Sequence, residues 1–133
     1  MASVLTNQLK ADLIGLLAGH TLKVALYNNS FTPAATNATY STTNELATAN
    51  GYTQGGATLT LSADGTTTRA LKATASVWTA TGAGFTAYHA RVYDTSNSNH
   101  VVAEFDFGGA RAASGGGTFT ITWDTTGGIL NIA

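Results

Sequence analysis

Glu104 and Asp106 stand two apart in the stretch "VVAEFDF". On a strand both side chains point the same way, roughly 6–7 Å apart. That separation falls near the window for paired carboxylates in glycoside hydrolysis. Arg91 and His89 lie in the neighbouring stretch "FTAYHARVY", where they can face the two acids as cross-strand ion pairs. No second motif supports catalysis, so the ion-pair role is the expectation.

The remaining chemistry-bearing groups form no motif either. "DTSNSN" at residues 94–99 begins like a calcium loop but lacks the sixth-position glycine, and Phe105 stands where the bidentate Glu belongs. A turn in which Asp, Asn and Ser bond their own backbone fits better. His20, His89 and His100 have no metal-ligand spacing. Asp124, the histidines and the many serines lack a nucleophile elbow. "SGGGT" at residues 114–118 has no lysine and precedes a strand, so it is no phosphate loop. The expectation is a protein with no catalytic residue, no metal and no cofactor.

The elements that carry these residues follow from periodicity. Leu5, Leu9, Leu13, Leu16 and Leu17 recur at helical spacing and predict an amphipathic helix over about residues 4–18. Ser3 or Thr6 can cap its start, and Gly19 suits a left-handed turn at its end. Its Leu9, Leu13 and Leu16 face is expected to pack on a β-domain over about residues 21–133. With a lone early cation and Asp12 interrupting, "LIGLLAG" reads as a structured element and not as an export signal.

Beyond Gly19 the period becomes two. "TLKVALY" sets Leu22, Val24 and Leu26 against Lys23, Ala25 and Tyr27, the pattern of a half-buried strand. Further strands are expected in "ATLTL", in "TTTRALKATASVWTA", in a hairpin of "FTAYHARVY" with "VVAEFDF", and in "GTFTITW" and "GILNIA", with a turn at Asp64-Gly65. Seven or eight short strands predict one mainly β domain, an antiparallel sandwich or jelly roll with one N-terminal helix.

The chain has 133 residues, enough for one domain with a core. Only 10% are charged and the net charge is −1, against roughly 25% charged residues in an average globular protein. No basic cluster is present to hold nucleic acid or an anionic membrane. A surface so poor in charge lacks the usual protection against self-association. Cysteine is absent, so no disulfide staples the chain.

The segment "TNELATANGYTQGGATL", with Thr43-Asn44-Glu45 and Gly51-Tyr52-Thr53 before Gly55-Gly56, resembles a family of small virion structural proteins of tailed bacteriophages. The opening helix running into "TLKVALYNNSFTP", Trp78 in "SVWTA", "RVYDTSNSN", "EFDFGG" and "GTFTITWDTTGGILNI" extend the resemblance over nearly the whole chain. The resemblance implies a virion protein assembled in the bacterial host cytoplasm, with capsid decoration (cement) as the favoured role. Its partners would be the major capsid protein or another virion protein, and further copies of itself. A neck, collar or tail component is the alternative within virions, and a small glycan-binding β-sandwich the alternative outside them.

The loop from about Thr39 to Gly56 is then expected to be a docking arm. It is longer than most loops of compact domains, and Glu45 is its sole charge. Tyr40, Glu45, Leu46, Tyr52, Gly55 and Gly56 are the predicted interface residues. Tyr52 is the predicted anchor, removable without harm to the isolated fold, since buried aromatics tend to dominate binding energy.

Overall fold

The computed structural model describes residues 1–133. The chain is mainly β with antiparallel sheets and one N-terminal helix, as the alternating stretches predict. Its contacts divide into two compact units where the sequence alone suggests one domain. The smaller unit takes residues 1–20, 60–75 and 122–133; the larger takes 21–59 and 76–121.

In the smaller unit, helix α1 (Asn7–Ala18) packs on strands β3 (Leu61–Asp64) and β4 (Arg69–Ala73). Thr6 caps the helix, its side chain accepting from the Leu9 N–H. Gly19 ends it with a right-handed φ of −81°, so no left-handed turn forms there. The sheet runs β3-β4-β9, with β9 at Leu130–Ile132, and the β3–β4 turn uses Gly65 at φ 88°. Ile14, Leu71, Ala70 and Ile129 are buried here.

The helix does not pack by the expected leucines. Lys10 and Ile14 are its buried residues, while Leu5, Leu9, Leu13 and Leu16 are 49%, 42%, 43% and 64% exposed. Two apolar stripes lie side by side in this sequence, because Ile14 and Leu17 each sit one residue, about 100° around the axis, from Leu13 and Leu16. The Lys10–Ile14 side faces the sheet, and there Lys10 Nζ donates to the Thr67 carbonyl at 2.8 Å.

The larger unit holds a four-stranded sheet in the order β2-β1-β6-β7 and a two-stranded ribbon, β5-β8. The strands are β1 (Leu22–Tyr27), β2 (Ala57–Thr58), β5 (Ser76–Thr79), β6 (Phe85–Asp94), β7 (His100–Ala113) and β8 (Thr118–Ile121). The predicted strand "ATLTL" is split: β2 joins the larger unit and β3 the smaller. Phe85 of β6 and Phe107 of β7 meet Phe119 of β8 at ring distances of 5.5 and 6.1 Å. Aromatic contact between sheet and ribbon gives this unit its sandwich-like character. Between Asp106 and Arg111 strand β7 bulges away from its β6 register, with Gly108 and Gly109 at positive φ.

Strand β1 is buried on both faces, not one. Leu22, Val24 and Leu26 are fully buried, and so are Ala25 and Tyr27. The second face carries a small core of Ala25, Tyr27, Phe31 and Tyr93 with Tyr40 packed against it. Phe31 and Tyr40 belong to the long connection after β1, which therefore lies on the sheet as a cover.

Candidate functional site

The cover is held by backbone bonds first. One edge of β1 is taken by β6 along its length and the other by β2 only at Lys23 and Val24. The open remainder is filled by the loop: Leu46 N–H donates to Leu26 O at 2.9 Å, Asn28 N–H to Asn44 O at 2.9 Å, and Glu45 bridges Tyr27. An exposed sheet edge is thereby closed from within the chain. Asn44 reaches this position at φ 65°, a left-handed conformation that Asn tolerates.

Glu45 is the hub. Its side chain accepts from the Tyr40 hydroxyl at 2.6 Å, the Tyr52 hydroxyl at 2.7 Å and the Gly55 N–H at 2.6 Å. Three charge-assisted hydrogen bonds satisfy this buried carboxylate. The Tyr52 oxygen also accepts from the Leu26 N–H at 2.9 Å, so a phenol takes the place of a missing strand partner between β2 and the Glu45 bridge. Tyr40 stacks on Tyr93 at 4.2 Å, and the Tyr93 hydroxyl donates to Gly55 O at 2.8 Å.

Burial raises all four of these phenols above the ordinary tyrosine value. For Tyr40 and Tyr52 the bond to Glu45 adds to the desolvation, and for Tyr93 the nearby Glu45 charge adds to it. Tyr27, whose hydroxyl donates to Ser41 O at 2.7 Å, is pushed up to about 12 by desolvation against the opposing pull of Arg91.

The structure thus brings together Tyr40, Glu45, Tyr52 and Gly55 in one network, but inside the molecule. Tyr52 is 2% exposed, with its ring 6.3 Å from Trp78 and 6.0 Å from Phe85. It is an internal anchor and not a surface one, and its removal cannot leave the fold untouched. Leu46 is half-buried beside β1. Gly56 sits at φ 72°, where an added Cβ would lie 1.9 Å from Val24 O. The arm is latched to its own sheet because its aromatics have a face of that sheet to cover.

Glu104 and Asp106 hold the cross-strand places expected of them, opposite Arg91 and His89. Arg91 Nε donates to Glu104 Oε1 at 2.7 Å between side chains 5% and 7% exposed. The other Glu104 oxygen accepts from Ala34 N–H at 2.8 Å and Asn37 Nδ2 at 3.0 Å, so this carboxylate also fastens the cover. Asp106 lies 3.6 Å from His89 Nε2 and caps the Gly108 N–H at 2.8 Å. His89 Nδ1 is 3.0 Å from the Asn28 carbonyl oxygen, which makes that nitrogen the donor. The two acids are occupied by separate partners.

The "DTSNSN" segment is a turn. Asp94 accepts from the Ser96 N–H through its side chain and from the Asn97 N–H through its carbonyl, and Ser98 and Asn99 adopt positive φ. No three His, Asp or Glu side chains converge as metal ligands. No helix is long and apolar enough to cross a membrane.

What the surface does offer is the outward stripe of α1. Leu9, Leu13 and Leu16, with Leu5 just before the N-cap, together expose about two whole leucine side chains, and Val4 ahead of them is 88% exposed. Asp12, the one charge on the exposed side of the helix, is already bonded to Gln8 at 2.7 Å. Helical spacing reveals these leucines but not their outward direction, since the buried side carries Lys10 and Ile14. No family model, curated protein or solved structure matches the chain.

Proposed function

We propose that this chain is a structural protein of a tailed-bacteriophage virion, a decoration protein that binds the assembled head through the leucine stripe of α1 and turns over no substrate. The observation that carries the assembly role is that stripe, Leu9, Leu13 and Leu16 on one helix face with Leu5 just before the N-cap, each 42–64% exposed. Covering about two leucine equivalents would contribute roughly 3–6 kcal/mol, a useful share of an interface but not the whole of one. The low charge of the chain supports the same role, since Thr and Asn rims bond a partner without the desolvation cost of ions. The virion assignment rests on the sequence resemblance, and the head is the favoured location over neck or tail.

The test is co-sedimentation of the purified chain with phage heads lacking their decoration protein. The parent should saturate the heads. A Leu9→Glu, Leu13→Glu double variant should fold, because both positions are exposed, and should fail to bind. Equal binding by parent and variant would remove the stripe from the interface. Binding to tails but not heads would move the protein to the alternative location, and binding to neither would end the virion assignment.

A further inference from the structure

A polar cleft of about 470 Å³ opens in the larger unit between the cover and the sheet. Its volume is in the range of small-molecule sites. Arg91 lines it from the sheet and Phe31 from the cover, and the walls are mainly hydroxyl and amide side chains, among them Thr32, Thr36, Thr39 and Asn44. None of the residues in the Glu45 hub lines it.

Arg91 is an unusual floor for such a cleft. Its guanidinium carbon stands 5.1 Å from the Tyr27 ring centroid and 4.9 Å from that of Phe31, and Nε is fixed by Glu104. Nη1 reaches only the Tyr27 hydroxyl at 3.5 Å and the Thr39 carbonyl at 3.4 Å, both at the outer limit of hydrogen bonding. A planar donor group is therefore held rigid, 4% exposed, with its terminal nitrogens poorly used. Glu104 cancels its charge at 2.7 Å, so the cleft attracts no anion by field alone. On the walls, Asn37 donates its amide N–H groups to Thr32 O and Glu104, and Asn44 donates to Ser30 O. Their amide oxygens remain as acceptors beside the threonine hydroxyls, which both donate and accept.

We propose that this cleft binds a neutral sugar ring, with Arg91 donating to its oxygens and the threonine and asparagine walls exchanging hydrogen bonds with its hydroxyls. A neutral polyol matches a site that is rich in donors and acceptors of both kinds and carries no net charge. Because the guanidinium is already immobilised, little ordering is lost on binding. The site is independent of the helix stripe and of any capsid partner.

The test is a titration of the isotope-labelled full chain, followed by amide NMR, with the methyl glycosides of glucose, galactose, mannose and N-acetylglucosamine. At least one should give saturable shifts in the millimolar range, confined to residues 30–44 and the neighbourhood of Arg91. Thr36→Trp, at an exposed wall position, should abolish that saturation without altering the rest of the spectrum. Arg91→Lys should weaken binding about tenfold or more if the guanidinium donates to the ligand. Should Arg91→Lys fail to fold, the parent and Thr36→Trp titrations decide alone. Absence of saturation by all four glycosides overturns the proposal. So do shifts centred on the separate groove at Val102, binding of methyl glucuronide or inorganic phosphate without any neutral glycoside, or unchanged binding by Thr36→Trp.

Discussion

The Tyr52 hydroxyl lies 2.7 Å from Glu45 Oε1 and donates to it, while the same oxygen accepts from the Leu26 N–H at 2.9 Å. A side chain from the long connection thus completes the hydrogen bonding of strand β1 and solvates a buried carboxylate at once.

Tyr52→Phe should therefore cost more than a neutral hydrogen bond. It removes one of three donors to Glu45 and leaves the Leu26 N–H without its acceptor, while the ring and its packing stay. Losses of about 2–4 kcal/mol are expected from a charged bond and an orphaned backbone donor together. Urea unfolding measures this directly. A loss below about 0.5 kcal/mol would mean that the phenol oxygen is dispensable and that the cover is held by its backbone bonds alone.

Alkaline pH should open the same region. Tyr27, Tyr40, Tyr52 and Tyr93 all have folded values raised above 10.0. Above pH 10 the unfolded chain releases phenolic protons that the folded chain retains, so stability is full below about pH 10 and falls as pH rises further. Thermal melts from pH 8 to 12 with phenolate absorbance as a second probe should show ionisation delayed in the folded protein and coincident with unfolding. Phenolate appearing at the ordinary value, with the melting temperature unchanged, would contradict the burial of these hydroxyls.

Two glycines with nearly equal φ separate strain from space. Gly56 has φ 72° and Gly108 has φ 71°, yet a Cβ at Gly56 would meet Val24 O at 1.9 Å while one at Gly108 has nothing within 4 Å. Gly108→Ala should cost only the left-handed strain of about 1–2 kcal/mol. Gly56→Ala should cost clearly more, because β1 and the end of the cover must move apart. Equal effects in chemical denaturation would show that the close approach at Val24 is soft.

Much of the fold was legible because period-two stretches name strands whatever surrounds them: β1, the β6–β7 hairpin and the Asp64-Gly65 turn all lie where the alternation puts them. The cross-strand partners of Glu104 and Asp106 followed from the same geometry. What was not legible depended on contacts distant in sequence. Lys10 reaches the Thr67 carbonyl on the buried side of the helix, a contact that periodicity does not register. The burial of Tyr52 in the 39–56 loop was hidden for a related reason. Tyr40 packs on the second face of β1, where Ala25 and Tyr27 are a sign that water is excluded from both sides, and Tyr52 packs against Trp78 and Phe85, both distant in sequence. The Asp106–Arg111 bulge had its signal in Gly108-Gly109, a pair that a regular strand seldom contains.

The smaller unit is assembled from three separated stretches of chain, and β4 pairs with β9 through Arg69↔Ile132 and Leu71↔Leu130. A ribosome adding about 5–20 residues per second needs roughly 3–12 s to travel from one strand to the other. For that interval β4 has β3 on one side and an unpaired backbone on the other, whatever the larger unit has achieved. The nascent polypeptide therefore carries a sticky margin until β9 has emerged, and its yield in a cell depends on how well that margin is shielded during the interval.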